Sequence, residues 1–172
     1  QQLARLAPAR VLLVGIAGAY DLDRDPLGSV RTFDAVAIDG LGAGEGADLL
    51  GPTALGFPQW PGPPSIEERL PLAALPTSDR YAARGELLTV CAAAASEAEA
   101  AHRRARFPSA AAEDMEAFAV ATACALAGTP CGVLRGVSNR VGDRDAGGWS
   151  IGPALDALRG AVVDALSHPW GA

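Results

Sequence analysis

Residues Val11 to Ile16 form a nearly unbroken apolar run punctuated by Gly15 and followed by Gly18. That pattern predicts a buried strand of the parallel kind running into a tight glycine turn. Gln1 to Arg10, with Pro8 near its end, is expected to be the end of a helix and a short loop. From Ser29 to Ile38, Val30, Thr32, Val36 and Ile38 recur without helical spacing, which predicts one or two strands. Asp39 to Pro76 is rich in Gly and Pro and reads as a long surface excursion. Leu87 to Val90 predicts another buried strand, and Ser96 to Arg106 an exposed helix. The acidic Glu97 and Glu99 open that helix and Arg103, Arg104 and Arg106 close it, as the helix dipole favours. Glu116 to Ala127 is apolar nearly all round, predicting a buried helix stopped by Gly128 and Pro130. Cys131 to Val137 predicts a strand. Pro153 to Leu166 predicts a last helix with Leu155, Leu158, Val162 and Leu166 on one side. Strands separated by helices and glycine turns give an α/β layered domain. Ligands in such sheets gather at the carboxyl ends of strands, which singles out the residues just past Ile16, Ala112 and Val137.

The 172 residues suit one domain with one core. A 49% apolar content argues against disorder. The net charge of −6, with no basic stripe, points away from nucleic acid as a partner. No apolar run reaches the roughly 18 residues a membrane span needs, and the first ten residues lack a secretory layout. A cytoplasmic protein is therefore the expectation. Cys91, Cys124 and Cys131 are odd in number and show no ligand spacing, so they are expected to be small buried hydrophobes. His102 and His168 are expected to be solvated. No metal or redox cofactor is expected, since His, Cys and carboxylates do not group at ligand spacing.

Three clusters sit at the expected strand ends. Gly15-Ile16-Ala17-Gly18-Ala19 is either a plain tight turn or a place where backbone N–H groups approach a ligand. Glu113-Asp114-Met115-Glu116 opens a buried helix, and carboxylates there need cations, hydroxyls or solvent. Two readings stay open: a dipole-favoured charge cluster, or a clamp on vicinal sugar hydroxyls. The third cluster, Arg135-Gly136-Val137-Ser138-Asn139-Arg140-Val141-Gly142-Asp143-Arg144-Asp145, puts an arginine inside an apolar strand and then crowds polar groups into a glycine-punctuated loop.

Taken in order, Gly-x-Ala-Gly, then Asp-Met-Glu-Ala, then Arg-Gly-Val-Ser-Asn resemble the purine nucleoside phosphorylase and methylthioadenosine nucleosidase superfamily. The variant Arg-Gly-Val-Ser-Asn-x-Val-Gly-x-Arg-Asp, with Trp149 just after it and Gly-Ile-Ala-Gly-Ala-Tyr at Gly15 to Tyr20, resembles the futalosine hydrolases within it. The resemblance implies a three-layer α/β/α phosphorylase/hydrolase-like fold with a central mixed sheet. It implies a single nucleoside phosphorylase/hydrolase-like domain over residues 1–172, and an enzyme that hydrolyses the N-glycosidic bond of futalosine in menaquinone biosynthesis. It implies a small purine nucleoside as partner and a homo-oligomer.

Carried over by position, Glu116 would hold the ribose 2′- and 3′-hydroxyls. Met115 would lie against the ribose and Asp114 flank it. Asn139 would face purine N7 and the C6 substituent, with Arg135 and Ser138 supporting it and Gly18 lining the pocket. An amide can donate to O6 and accept from a protonated N7, which favours a 6-oxopurine. Asn cannot itself supply that proton. Asp143 and Asp145 are near enough to be considered, but ion pairs with Arg140 or Arg144 are the expected role. Phe118, Trp149 or a partner subunit would stack on the base. The family also carries a strand and glycine loop ahead of Val11, including the glutamate that activates water; that part is expected to lie outside these 172 residues. Another purine nucleosidase or a phosphorylase, or a non-catalytic nucleoside-binding domain, are the alternatives.

Overall fold

The computed structural model describes residues 2–76, 81 and 85–170. Its centre is a seven-stranded sheet: β1 (Val11–Ala19), β2 (Val30–Arg31), β3 (Ala35–Asp39), β4 (Arg69–Pro71), β5 (Glu86–Val90), β6 (Ala110–Asp114) and β7 (Cys131–Arg140). The spatial order is β2-β7-β1-β6-β5-β3-β4. Among the described residues four helices accompany it: α1 (Gln2–Leu6), α2 (Glu97–Arg106), α3 (Ala117–Leu126) and α4 (Ile151–Ser167). The sheet is mixed, with β1 parallel to β7, β5 parallel to β3 and β6, and β1 antiparallel to β6.

That last pairing sets the site. β1 and β6 run toward each other from opposite sides and overlap only at their carboxyl ends, where Gly18 faces Glu113 and Ala19 faces Ala112. On its other flank Gly18 pairs with Asn139 of β7, after a register shift between Ala17 and Gly18. Three strand ends therefore meet at one point of the sheet, the sort of switch point where α/β proteins place ligands.

Side-chain alternation assigns the layers. Val36, Leu87, Ala112 and Val133 pack with Phe118, Ala121 and Cys124 of α3 on one face. On the other face Leu134 meets Leu158, Ala161 and Ala165 of α4, and Leu88, Val90 and Ala110 meet Ala100 of α2. This is the expected three-layer α/β/α arrangement. Ser96 caps α2 by accepting the Glu99 N–H at 3.2 Å, while the Glu99 carboxylate accepts the Ala95 N–H at 2.5 Å, a reciprocal cap. The expected helix before Pro8 is α1, with Gln1 outside the described residues.

Several expectations are corrected. β1 is fully buried only from Ala17 onward, and Val14 is 39% exposed because α4 reaches Leu12 but not the position above it. α3 buries one face only, leaving Leu126 exposed. In α4 the buried stripe is Ala154, Leu158, Ala161 and Ala165, while Leu155 and Leu166 face outward. Close approach explains it: a Cβ on Gly136 would lie 2.6 Å from the Ala154 carbonyl oxygen, so only small residues fit where α4 crosses β7. The Asp39 to Pro76 excursion is largely irregular as expected, apart from a 3₁₀ turn at Gly46–Asp48 and β4, a short edge strand among prolines that periodicity does not reveal. Cys124 and Cys131 are buried free thiols, whereas Cys91 is exposed. His102 and His168 are both exposed, as expected. Among the described residues no helix is long and apolar enough to cross a membrane.

Candidate active site

A cleft of about 240 Å³ opens where the ends of β1, β6 and β7 meet, small for a ligand site but open to solvent on one side. Ile16, Ala17 and Gly18 form its floor, and Asp114, Met115 and Glu116 one wall. Ser138 and Asn139 lie opposite, and Arg144 and Trp149 stand further along the loop after β7. Of the seven site residues expected from sequence, six line this cleft. Arg135 lies beneath it.

The acidic cluster divides by strand alternation. Glu113 and Asp114 belong to β6 itself, point to opposite faces and are buried. Glu113 accepts from the Tyr20 hydroxyl at 3.0 Å, the Ala94 N–H at 2.9 Å and Arg103 at 3.1 Å. Arg103 also donates to the Ala92 carbonyl at 2.6 Å and pairs with Asp39 at 3.2 Å. Together these bonds fix the 92–94 backbone, whose Ala93 and Ala94 border the cleft. The Tyr20 phenol is pushed well above its ordinary range by burial and by the adjacent Glu113 carboxylate.

Asp114 accepts from the Thr89 hydroxyl at 2.6 Å and the Ala117 N–H at 3.1 Å, and pairs with Arg135. It thereby caps α3, the dipole role sequence reasoning kept open. Its side chain is fully buried, with three partners on the carboxylate, and it anchors Arg135 at the wall of the cleft. Arg135 also donates to Glu116 at 3.0 Å. The Glu116 side chain is 60% exposed, so part of its carboxylate stays open to the cleft. Met115 is likewise exposed beside it. Gly15 is required under Arg135, because a Cβ there would occupy the guanidinium's place.

Asn139 is held at both ends of its amide. Its Nδ2 donates to the Arg140 carbonyl at 2.8 Å, and its Oδ1 lies 2.9 Å from the Ser138 hydroxyl, which donates to it. Ser138 is also within 3.2 Å of the Ala17 carbonyl, tying β7 to β1. Held this way, the amide keeps one N–H and one lone pair for a ligand.

Two other expectations resolve here. Phe118 of α3 is buried in the core, whereas Trp149 borders the cleft, so of these two Trp149 is the one placed to meet a ligand. Asp143 and Asp145 form no ion pair with Arg140 or Arg144 among the described residues. Instead Asp143 accepts the Asp145 N–H at 2.9 Å and Asp145 the Gly147 N–H at 3.0 Å, shaping the turn before α4. Sequence reasoning missed Thr89, Tyr20 and Arg103 as partners of the acidic cluster. Thr89 was the one visible clue, a hydroxyl inside an apolar strand.

The chain matches the family model of the phosphorylase superfamily over residues 1–166 and belongs to that superfamily. Within it, the chain is 40% identical over 152 residues to the futalosine hydrolase of Streptomyces coelicolor, covering 88% of this chain and 63% of that protein. It is 37% identical over 175 residues to the futalosine hydrolase of Acidothermus cellulolyticus, covering 98% and 68%. The chain thus spans about two thirds of the length of these curated relatives. Among solved structures it superimposes on a 5′-methylthioadenosine/S-adenosylhomocysteine nucleosidase from Colwellia psychrerythraea in complex with adenine. There the TM-score is 0.73 and the identity 22%, with 98% of this chain and 71% of the other covered.

Proposed function

We propose that this chain, as a single domain over residues 1–172, carries the nucleoside-binding part of an N-glycosyl hydrolase that releases hypoxanthine from futalosine in menaquinone biosynthesis. The observation that carries this reading is the pinned amide of Asn139 across the cleft from Glu116. A purine leaving with N7 protonated offers a donor at N7. Hypoxanthine adds an acceptor at O6, and the pair complements the one N–H and one lone pair that Asn139 has left. Adenine in the same state offers donors at both places, so one of them faces the amide N–H. Stabilising the departing base in this way lowers the barrier because the bonds are strongest after charge has moved onto the purine. The names of the sequence relatives support the same substrate.

In this reading Glu116 accepts hydrogen bonds from the vicinal ribose hydroxyls, Met115 packs against the sugar, and Gly18 keeps the floor low. Arg135 positions Glu116, with Asp114 as its anchor. The proton for N7 arrives through water, since the Asn139 amide has none to give. The same reading carries the expectation of a cytoplasmic homo-oligomer.

The test is incubation of the intact protein with futalosine in phosphate-free buffer, following hypoxanthine, with adenosine-type nucleosides alongside. Release from futalosine alone, lost in Glu116→Ala and Asn139→Ala, is the expected result. Release only after phosphate is added would make the protein a phosphorylase. Silence from folded protein under both conditions would overturn the hydrolase reading.

A further inference from the structure

The residue at the N-terminal cap of a helix commonly turns its side chain back to accept an N–H two or three positions on. In α3 that residue is Glu116, and its side chain makes no capping bond. The first N–H groups of the helix are taken up from the sheet instead. Asp114 accepts the Ala117 N–H at 3.1 Å, and the Thr89 hydroxyl accepts the Phe118 N–H at 2.9 Å. An amide N–H can only donate, so the Thr89 oxygen is the acceptor there and its own proton goes to Asp114, 2.6 Å away. Asp114 in turn holds Arg135, and Arg135 donates to Glu116 at 3.0 Å. Thr89 is 4% exposed and sits opposite Asp114 in the register of β5 and β6. It therefore bears on Glu116 by two routes, through the end of the helix and through Asp114 and Arg135.

We propose that Thr89 is a positioning residue for nucleoside binding: by capping α3 in place of Glu116, it leaves the Glu116 carboxylate free to grip the vicinal ribose hydroxyls. The inference rests on the nucleoside reading of the cleft. Without the Thr89 hydroxyl, the buried Phe118 N–H loses its acceptor, which is costly. The side chain that takes over is the one at the cap position, as at an ordinary helix end. Asp114 also loses one of its three partners, which loosens Arg135. Both changes draw Glu116 away from the sugar, and neither touches the base.

The experiment is calorimetric titration of the intact protein with the C-nucleoside analogue of inosine, whose carbon–carbon link to the base water does not cleave, and with its 2′,3′-dideoxy form. Thr89→Val keeps the shape and removes the hydroxyl. It should weaken the diol-bearing analogue about 10-fold, the worth of one hydrogen bond, and leave the dideoxy form unchanged. Thr89→Ser keeps the hydroxyl and removes the methyl, and it should bind both as wild type does. In a Glu116→Ala background, Thr89→Val should change neither affinity further. An equal loss for both analogues in Thr89→Val would overturn the proposal. So would a lost preference for the diol in Thr89→Ser, a result that decides even where Thr89→Val does not fold. Folded wild type that binds neither analogue, or both equally, would remove the ribose-binding role of Glu116 itself. That failure is told apart from failure of the Thr89 proposal because it shows before any substitution is made.

Discussion

Arg135→Met is the perturbation that asks most of this structure. Arg135 is 3% exposed, and its partner Asp114 has a side chain with no exposure at all. Removing one member of a buried pair strands the other charge, which costs about 3–5 kcal/mol. Asp114 would still accept from the Thr89 hydroxyl and the Ala117 N–H, so the low end, about 3 kcal/mol, is expected. The second arm, to Glu116, adds little to stability because that carboxylate is 60% exposed. Met fills the apolar stem's volume, so cavity formation contributes little. Urea unfolding at neutral pH measures the change, and the decisive comparison is a double-mutant cycle with Asp114→Asn. Neutralising Asp114 removes the stranded charge and keeps one oxygen to accept the Ala117 N–H, while the Thr89 hydroxyl oxygen can accept from the new amide. The double variant should therefore be more stable than the two single losses added together predict, by about 2 kcal/mol. Strict additivity, or a loss below about 1 kcal/mol for Arg135→Met, would refute the account of a desolvated pair on which the positioning of Glu116 depends.

Asn139→Asp should shift substrate choice from 6-oxo toward 6-aminopurine nucleosides, by roughly 100-fold in the ratio of kcat/KM values, since a protonated Asp can donate to N7 and accept from the amine. A proportional loss on both substrates would show that the amide does not read the base. Gly18→Ala places a methyl 3.1 Å from Asn139 Nδ2 and 3.2 Å from Val141 Cγ2. It should lower kcat/KM about 10-fold by shifting Asn139 a few tenths of an ångström, with a melting point close to wild type. Stability should also decline in alkali. Burial and the neighbouring Cys124 push the Cys131 thiol from its ordinary 9.0 up to about 12, and the buried Tyr20 is raised beyond its ordinary 10.0. The unfolded chain releases these protons first, so stability is whole below pH 9 and falls as pH rises, for Cys131 until about pH 12. Urea midpoints between about pH 8.5 and 11 should fall less steeply in Cys131→Ala and Tyr20→Phe; unchanged slopes would show that neither group carries the effect.

Most of the strands and helices were legible because each is long enough for its period to show. What the sequence hid was the relation between neighbours. Leu155 and Leu166 look like the core stripe of α4 by size, yet the helix turns its alanines inward because Gly136 admits nothing larger. Glu113 and Asp114 look like part of a helix entry, but β6 runs through them and alternation sends them to opposite faces. Arg103 reads as a surface cation at a helix end, and only the fold brings Asp39 and Glu113 within its reach. Six of the seven residues that the motifs marked line the cleft, because motif residues cluster at strand ends. They could not say which carboxylate would be spent inside the protein, since that depends on Arg135 crossing from β7.

The pairing of β1 with β7 has a consequence for how the molecule is made. Val11 pairs with Cys131, so β1 leaves the ribosome about 120 positions ahead of its parallel partner. At usual synthesis rates that is a wait on the order of 10 s, during which an apolar strand has an open edge. β3 and β5 have their own pairing to complete in that time, but Gly18 gains Glu113 late and Asn139 later still. The cleft is thus among the last parts of the chain to be assembled. A nascent chain halted before Cys131 would hold most of its strands but lack Ser138, Asn139 and Trp149 from the cleft, and such a chain is a natural client for a chaperone that shields strand edges.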